Sequence, residues 1–295
     1  MEKLVVEDLQ SIVRRVTETF HGKIYDTHKL YGLAIATLRH YLGDEWVNQN
    51  ASALFQQKVD TGNRKGRIFL KTGNVIAEDS FRHELRILQL AESIFNLQSI
   101  DGIADRISVI KVGGLESTYG ELECAAQIKK ANMQFRFVTP SGIKGKDYDI
   151  EIVPDPDTCL NCELKVTTEE KDLQKSTIVN KLNAARKQLP REQPGIIFVK
   201  IPESWLKQTS AQQLLNESID QFFRNTNRVV AVVLRWEELI VDLGKSKPAV
   251  LKIFFQIKTN SASKFFGVEI ENILWQLNNP LGKDWIRFRD IIEQT

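Results

Sequence analysis

The sequence predicts an α/β fold, a mixed central sheet flanked by helices, with a mostly helical N-terminal region. Three observations predict it. Residues 147–166 alternate apolar and polar side chains on either side of a link rich in Pro and Asp, the pattern of an antiparallel hairpin. From 172 to 236, apolar residues at helical spacing alternate with short continuous apolar runs of buried-strand type. Before 110, three segments carry apolar residues at helical spacing. The chain has 295 residues, 42% of them apolar, enough to bury a core in one large domain or two modest ones. Gly113-Gly114 marks the expected division between the helical region 1–110 and an α/β domain 111–295.

Helices are expected over Val5–Val16, Leu30–Leu42 and Phe81–Leu97. Between the last two, DTGN and KTGN bracket a basic and apolar stretch, which predicts a short strand at 60–74. Its cluster Arg64, Lys65 and Arg67 reads as an exposed charged loop or as a phosphate contact. A helix from Ser117 to Ala131 follows, with Glu121 among Leu122, Cys124, Ala125 and Ile128, and with Glu123, Gln127 and Lys130 on a polar stripe. A carboxylate on an apolar face costs several kcal/mol of desolvation unless it is paired, hydrogen-bonded or metal-linked, so Glu121 calls for a partner. A strand at Gln134–Thr139 leads to the hairpin. After it come a helix at Asp172–Leu189 with Ile178, Leu182, Ala185 and Leu189 on one face, a strand at Gly195–Ile201, a helix at Ala211–Phe223 and a strand at Val229–Trp236. Residues 249–258 read as an edge strand with Leu251, Ile253, Phe255 and Ile257 inward, and 267–293 as a helical tail. Trp205, Trp236, Trp275 and Trp285 read as packing anchors.

The hairpin carries the chemistry. With side chains alternating faces, Leu160, Cys162, Leu164 and Val166 form an apolar side and Asn161, Glu163 and Lys165 a polar one. The same count sets Tyr148, Ile150 and Ile152 against Asp147, Asp149 and Glu151, so Asp149 can converge on Glu163. Close carboxylates raise each other's pKa unless a cation lies between them. Magnesium takes oxygen ligands and keeps several waters, so one or two carboxylates plus a substrate phosphate suffice. Lys165 points the same way, as a cation for an attacking water or a charged transition state. Glu169 and Lys171 repeat the spacing outside any apolar alternation, and Pro154-Asp155 is expected in the turn rather than on a strand. The alternative is a ribbon with a solvated charged face.

A net charge of +2 is no global nucleic-acid signature, so such a partner needs a local patch. Residues 171–191 supply one, with six basic residues and one acid, among them Lys181, Arg186 and Lys187. The bland reading is a solvated helix face. The start of the chain lacks a signal-like apolar segment, and runs such as Val229–Leu234 are too short for a bilayer, so a cytoplasmic protein without membrane contact is expected. Three cysteines fit a reducing compartment. Cys159-x-x-Cys162 lacks the second pair of a zinc site, and no histidine has metal-ligand spacing.

The order helix, strand, strand, strand, helix, strand, with Glu121 on the first helix, Asp149 on the second strand and Glu163 and Lys165 on the third, resembles the PD-(D/E)XK nuclease superfamily, the restriction-endonuclease-like fold. The resemblance covers about residues 116–201 and implies an αβββαβ core. It implies a Mg²⁺-dependent endonuclease, with Mn²⁺ as a substitute, acting on DNA. Asp149, Glu163 and the Leu164 carbonyl would bind the ion, Lys165 would handle the water, Glu121 would add a metal or water ligand, and Gln188 would be an accessory polar residue. Tyr148-Asp149 stands where the family's commonest wording has Pro-Asp, which leaves Asp147 as a rival. Substrate contact falls to Lys181, Arg186 and Lys187. RNA stays open as substrate, as does a second copy or a protein partner docking through 1–110. The alternative in another class is a catalytically idle module that binds nucleic acid or protein on the same fold.

Overall fold

The computed structural model describes residues 2–20, 22, 25–51, 77–143, 146–155, 158–167, 172–241 and 249–295. The strand expected at 60–74 lies outside them, as do Glu169 and Lys171. The first part of the chain is helical: α1 Val6–Thr19, α2 Asp26–Leu42, α3 Asp44–Asn50, α4 Ala77–Leu97 and α5 Ile103–Lys111. Then come α6 Leu115–Lys130, β1 Phe135–Phe137, β2 Ile150–Asp155, β3 Thr158–Val166, α7 Lys175–Gln188 and β4 Gly195–Lys200. The chain continues through α8 Glu203–Leu206, α9 Ala211–Phe223, β5 Val229–Val241, β6 Ala249–Thr259, α10 Val268–Asn278 and α11 Phe288–Glu293. No helix among the described residues is long and apolar enough to cross a membrane.

The six strands form one mixed sheet in the order β1-β2-β3-β4-β5-β6. The central β3–β4 and β4–β5 pairs are parallel, and the outer pairs are antiparallel. Helices cover both faces. On one face Ile150, Ile152, Leu160, Cys162, Ile196, Phe198 and Val233 share a core with residues of α1–α6, α10 and α11, running from Leu9 to Ile292. On the other, Ile197, Val199, Val232 and Leu234 pack against Ile178, Leu182, Ala185 and Leu189 and against α9. The alternation expected for β3 and the stripe expected for α7 thus face cores on opposite sides of the sheet.

Several details differ from the sequence reading. Strand β2 begins only at Ile150, so Tyr148 is out of the alternation and packs with the α7 core while Ile150 and Ile152 join the other. Pro154 and Asp155 belong to β2 rather than to the turn; a register shift between Ile152 and Asp155 accommodates them. The tail is two helices, because Pro280 and Gly282, at φ +60°, interrupt it. Trp275 is exposed, unlike Trp205, which is buried, so it does not anchor packing.

Two glycines set how closely the site-bearing helices approach. A Cβ at Gly120 would lie 2.9 Å from both Leu164 Cδ2 and Val166 Cγ2, so any larger residue would have to displace these two methyl groups where α6 rests on the end of β3. Gly102, at φ +82°, caps α5 where a Cβ would meet the Phe137 carbonyl oxygen at 2.7 Å. These contacts bring Glu121 and Arg106 to the sheet.

Candidate active site

Strands β2 and β3 pair from Asp155 and Thr158 back to Ile150 and Cys162, and the last bond runs from the Asp149 N–H to the Cys162 carbonyl at 3.0 Å. Beyond this point β2 has left the ladder. The next inward N–H of β3, on Leu164, would be orphaned, and the carboxylate of Asp149 accepts from it at 2.6 Å. The departure of one strand from its neighbour therefore fixes Asp149 at a fork beside Glu163. Its rival Asp147 is engaged elsewhere, accepting from the N–H and the hydroxyl of Ser141, both at 2.7 Å.

Glu163 is 1% exposed and ion-paired with Lys165, whose ammonium also donates to Gln188 Oε1 from the end of α7. Gln188 in turn donates to the Asp147 carbonyl at 3.3 Å. Glu121 enters from α6, and its carboxylate lies 2.9 Å from Arg106 Nε. The structure therefore gathers Glu121, Asp149, Glu163, Lys165 and Gln188 around one fork. Burial pushes the Glu121 carboxyl up to about 7, with the Asp149 charge adding and Arg106 and Lys165 opposing. Burial, then the Asp149 charge, pushes Glu163 up to about 8 against the pull of Lys165. Asp149 is also raised by burial, held back by the Leu164 N–H and by Lys165 and Arg106.

Arg106 is the residue the sequence reading missed. It is buried, stacks 5.6 Å from the Phe137 ring centroid, and donates to the carbonyls of Val138 at 2.8 Å and Asp149 at 3.3 Å. One guanidinium thus ties α5, β1, the Asp149 backbone and Glu121. The signal was available, because Arg106 interrupts the apolar stripe of Ile103, Ile107 and Ile110 as Glu121 interrupts that of α6.

The donor set suits a hard divalent ion: carboxylate oxygens, of which Glu163 Oε2 is buried without a hydrogen bond. No three His, Cys, Asp or Glu side chains among the described residues converge as an ion-holding group. An ion here would therefore rest on two carboxylates, backbone oxygen and water, the sparse ligation magnesium accepts.

The other expected residues are dispersed. Lys181 Nζ donates to the Val166 carbonyl at 2.5 Å, and Arg186 donates to the Asn225 carbonyl and lies 5.9 Å from the Phe222 ring centroid. Lys187 is exposed. Glu123 is not on a solvated stripe: α6 is buried on nearly all sides, and Glu123 meets Lys200 at 3.0 Å and Arg235. Glu237 joins them, 2.8 Å from Arg235 and 2.6 Å from Arg86, in a second buried charge cluster. No protein-family model, curated protein or solved structure matches the chain.

Proposed function

We propose that this chain is a metal-dependent nuclease that hydrolyses phosphodiester bonds in DNA, built on the PD-(D/E)XK plan. The observation that carries the reading is the fork, where the end of β2–β3 pairing gathers Asp149, Glu163, Lys165 and Glu121. The element order α6-β1-β2-β3-α7-β4 supports the same plan. Asp149 and Glu163, with the Leu164 carbonyl, would hold Mg²⁺ or Mn²⁺, and Glu121 would act on the ion's water. Such an ion lowers the pKa of bound water and offsets the charge that develops on a reacting phosphate. Lys165 Nζ, steadied by Gln188, would orient the attacking water and stabilise negative charge at the same place. Burial of the three acids keeps bulk water from screening these interactions.

One observation favours an idle binding module instead. Glu163 and Glu121 each already have an internal cation, Lys165 and Arg106, so two of the three acids at the fork are paired without an ion. Nicking and linear-cleavage assays on plasmid, duplex, branched and single-stranded substrates, with Mg²⁺, Mn²⁺ or chelator, separate the two readings. Cleavage that needs the metal and is lost in Glu163→Gln supports the nuclease. Binding without cleavage of any substrate, in either metal, establishes the idle module.

A further inference from the structure

A groove of about 1420 Å³ runs beside the fork between the end of α7, the turn at 190–194 and the turn at 225–228. Lys146, Arg186, Lys187, Arg191, Arg228 and Lys264 line it against a single acid, Glu192. In a chain whose charges nearly cancel, at 40 basic and 38 acidic residues, this is a strong local segregation. Glu192 pairs with Lys264 at 2.8 Å, which leaves the other five cations without an acid in the lining. Other contacts fix the arginines without adding negative charge: Arg228 donates to the Arg186 carbonyl, and Arg186 to the Asn225 carbonyl. Burial, followed by the nearby Arg186 and Arg191 charges, lowers the pKa of Arg228. These cations are gathered, positioned and under-neutralised. Carbonyls hold Arg186 and Arg228 in place, so these two have little ordering entropy left to lose when an anion arrives.

We propose that this groove binds the phosphate backbone of a nucleic acid and leads it to the fork. The groove adjoins the site through the chain itself, because Tyr148 on its wall precedes Asp149, and Lys187 precedes Gln188, which holds Lys165. Spaced guanidinium and ammonium groups along an open trough match the repeating charge of a phosphodiester chain, and arginine forks pair with phosphate oxygens. The inference rests on the proposed function for what happens at the fork, but not for the binding itself. It also reassigns substrate contact: Lys181 lies outside this lining, while Arg191, Arg228 and Lys264 join Arg186 and Lys187.

Binding of the full chain to a labelled DNA duplex and to a single strand of equal length, in chelator, tests the groove without turnover. The variant K146E/K187E/R191E reverses three groove charges, of which Lys187 and Arg191 are exposed and make no internal ion pair among the described residues. R14E/R15E/K111E changes net charge equally on exposed positions of α1 and α5. The groove variant should lose at least about tenfold in affinity, and its log-log salt slope on duplex should flatten by about 0.9 per lost contact. The α1/α5 variant should keep the wild-type slope. Equal losses in both variants, or displacement of the nucleic acid by polyglutamate as readily as by unlabelled nucleic acid, would overturn the proposal. Wild type that binds neither strand form overturns it as well. Groove-dependent binding without metal-dependent cleavage leaves the groove standing and removes the nuclease reading. Cleavage by the groove variant with an unchanged salt slope removes the groove alone.

Discussion

The guanidinium of Arg106 lies 2.9 Å from the carboxylate of Glu121, with both side chains nearly buried. Removing one member of a buried ion pair strands the other, at a cost of about 3–5 kcal/mol. Arg106 also donates to the Val138 and Asp149 carbonyls, so its loss would free the chain that carries Asp149. Arg106→Ala should therefore be strongly destabilised in urea unfolding, while Glu121→Gln, which keeps an acceptor for the guanidinium, should lose less. Equal stability of Arg106→Ala and wild type would show that the pair does not hold the fork.

Lys165 has two partners, Glu163 and Gln188, and only the first is an acid. If the ammonium acts on the reacting phosphate or water, Lys165→Ala and Glu163→Gln should each slow metal-dependent cleavage by about 10²-fold or more. Gln188→Ala, which only releases the ammonium, should cost about tenfold. Circular dichroism and melting of each variant report whether the fold survives. A Lys165→Ala enzyme that cuts at the wild-type rate removes Lys165 from the chemistry.

The alternation of β3 was legible because only one of its faces packs into an apolar core, with Leu160 and Cys162, while Asn161 and Glu163 on the other meet polar partners. The α7 stripe was legible for the same reason. The fork was only half legible. Periodicity places Asp149 on a strand, but the ladder stops at Ile150, and what fixes Asp149 is a side-chain bond to a backbone N–H, which leaves no periodic trace. Arg106 and Glu123 escaped because a charged residue on a helix is read by default as solvated, whereas here each sits on a buried face and meets its opposite on another element. The basic groove combines residues from 146 to 264, a proximity that only the tertiary fold creates.

An ion bound only by the folded chain stabilises it by mass action, by about 2.7 kcal/mol at a hundred times its Kd. Mg²⁺ or Mn²⁺ should therefore raise the melting temperature of wild type by several degrees. Glu163→Gln should lose most of this shift, because it removes a buried ligand charge, and Glu121→Gln should lose part of it. Glu123→Gln is no control here, since it would break the pairs with Lys200 and Arg235. The exposed Glu269→Gln on α10 serves instead and should shift as wild type does. Identical shifts in wild type and Glu163→Gln would place the ion elsewhere.

Glu116, at the start of α6, has both carboxylate oxygens buried without a hydrogen bond. Burial pushes it up to about 7, opposed by Lys200 of β4 and Arg86 of α4 and reinforced by Glu123 of α6 and Glu237 of β5. With the folded pKa above that of the unfolded chain, the folded state holds a proton that the unfolded state releases between about pH 4.5 and 7. Stability from this group is therefore complete below about 4.5 and is lost as pH rises through about 7. Glu116→Gln keeps a neutral side chain at every pH. It should match wild type near pH 5 and exceed it at pH 8, by at most about 3 kcal/mol at 1.36 kcal/mol per unit and by less once partial solvent screening is counted. Urea unfolding at both pH values measures the difference. A gap between the two proteins that does not change with pH would show that Glu116 is ionised in the fold throughout, with Lys200 and Arg86 outweighing its burial.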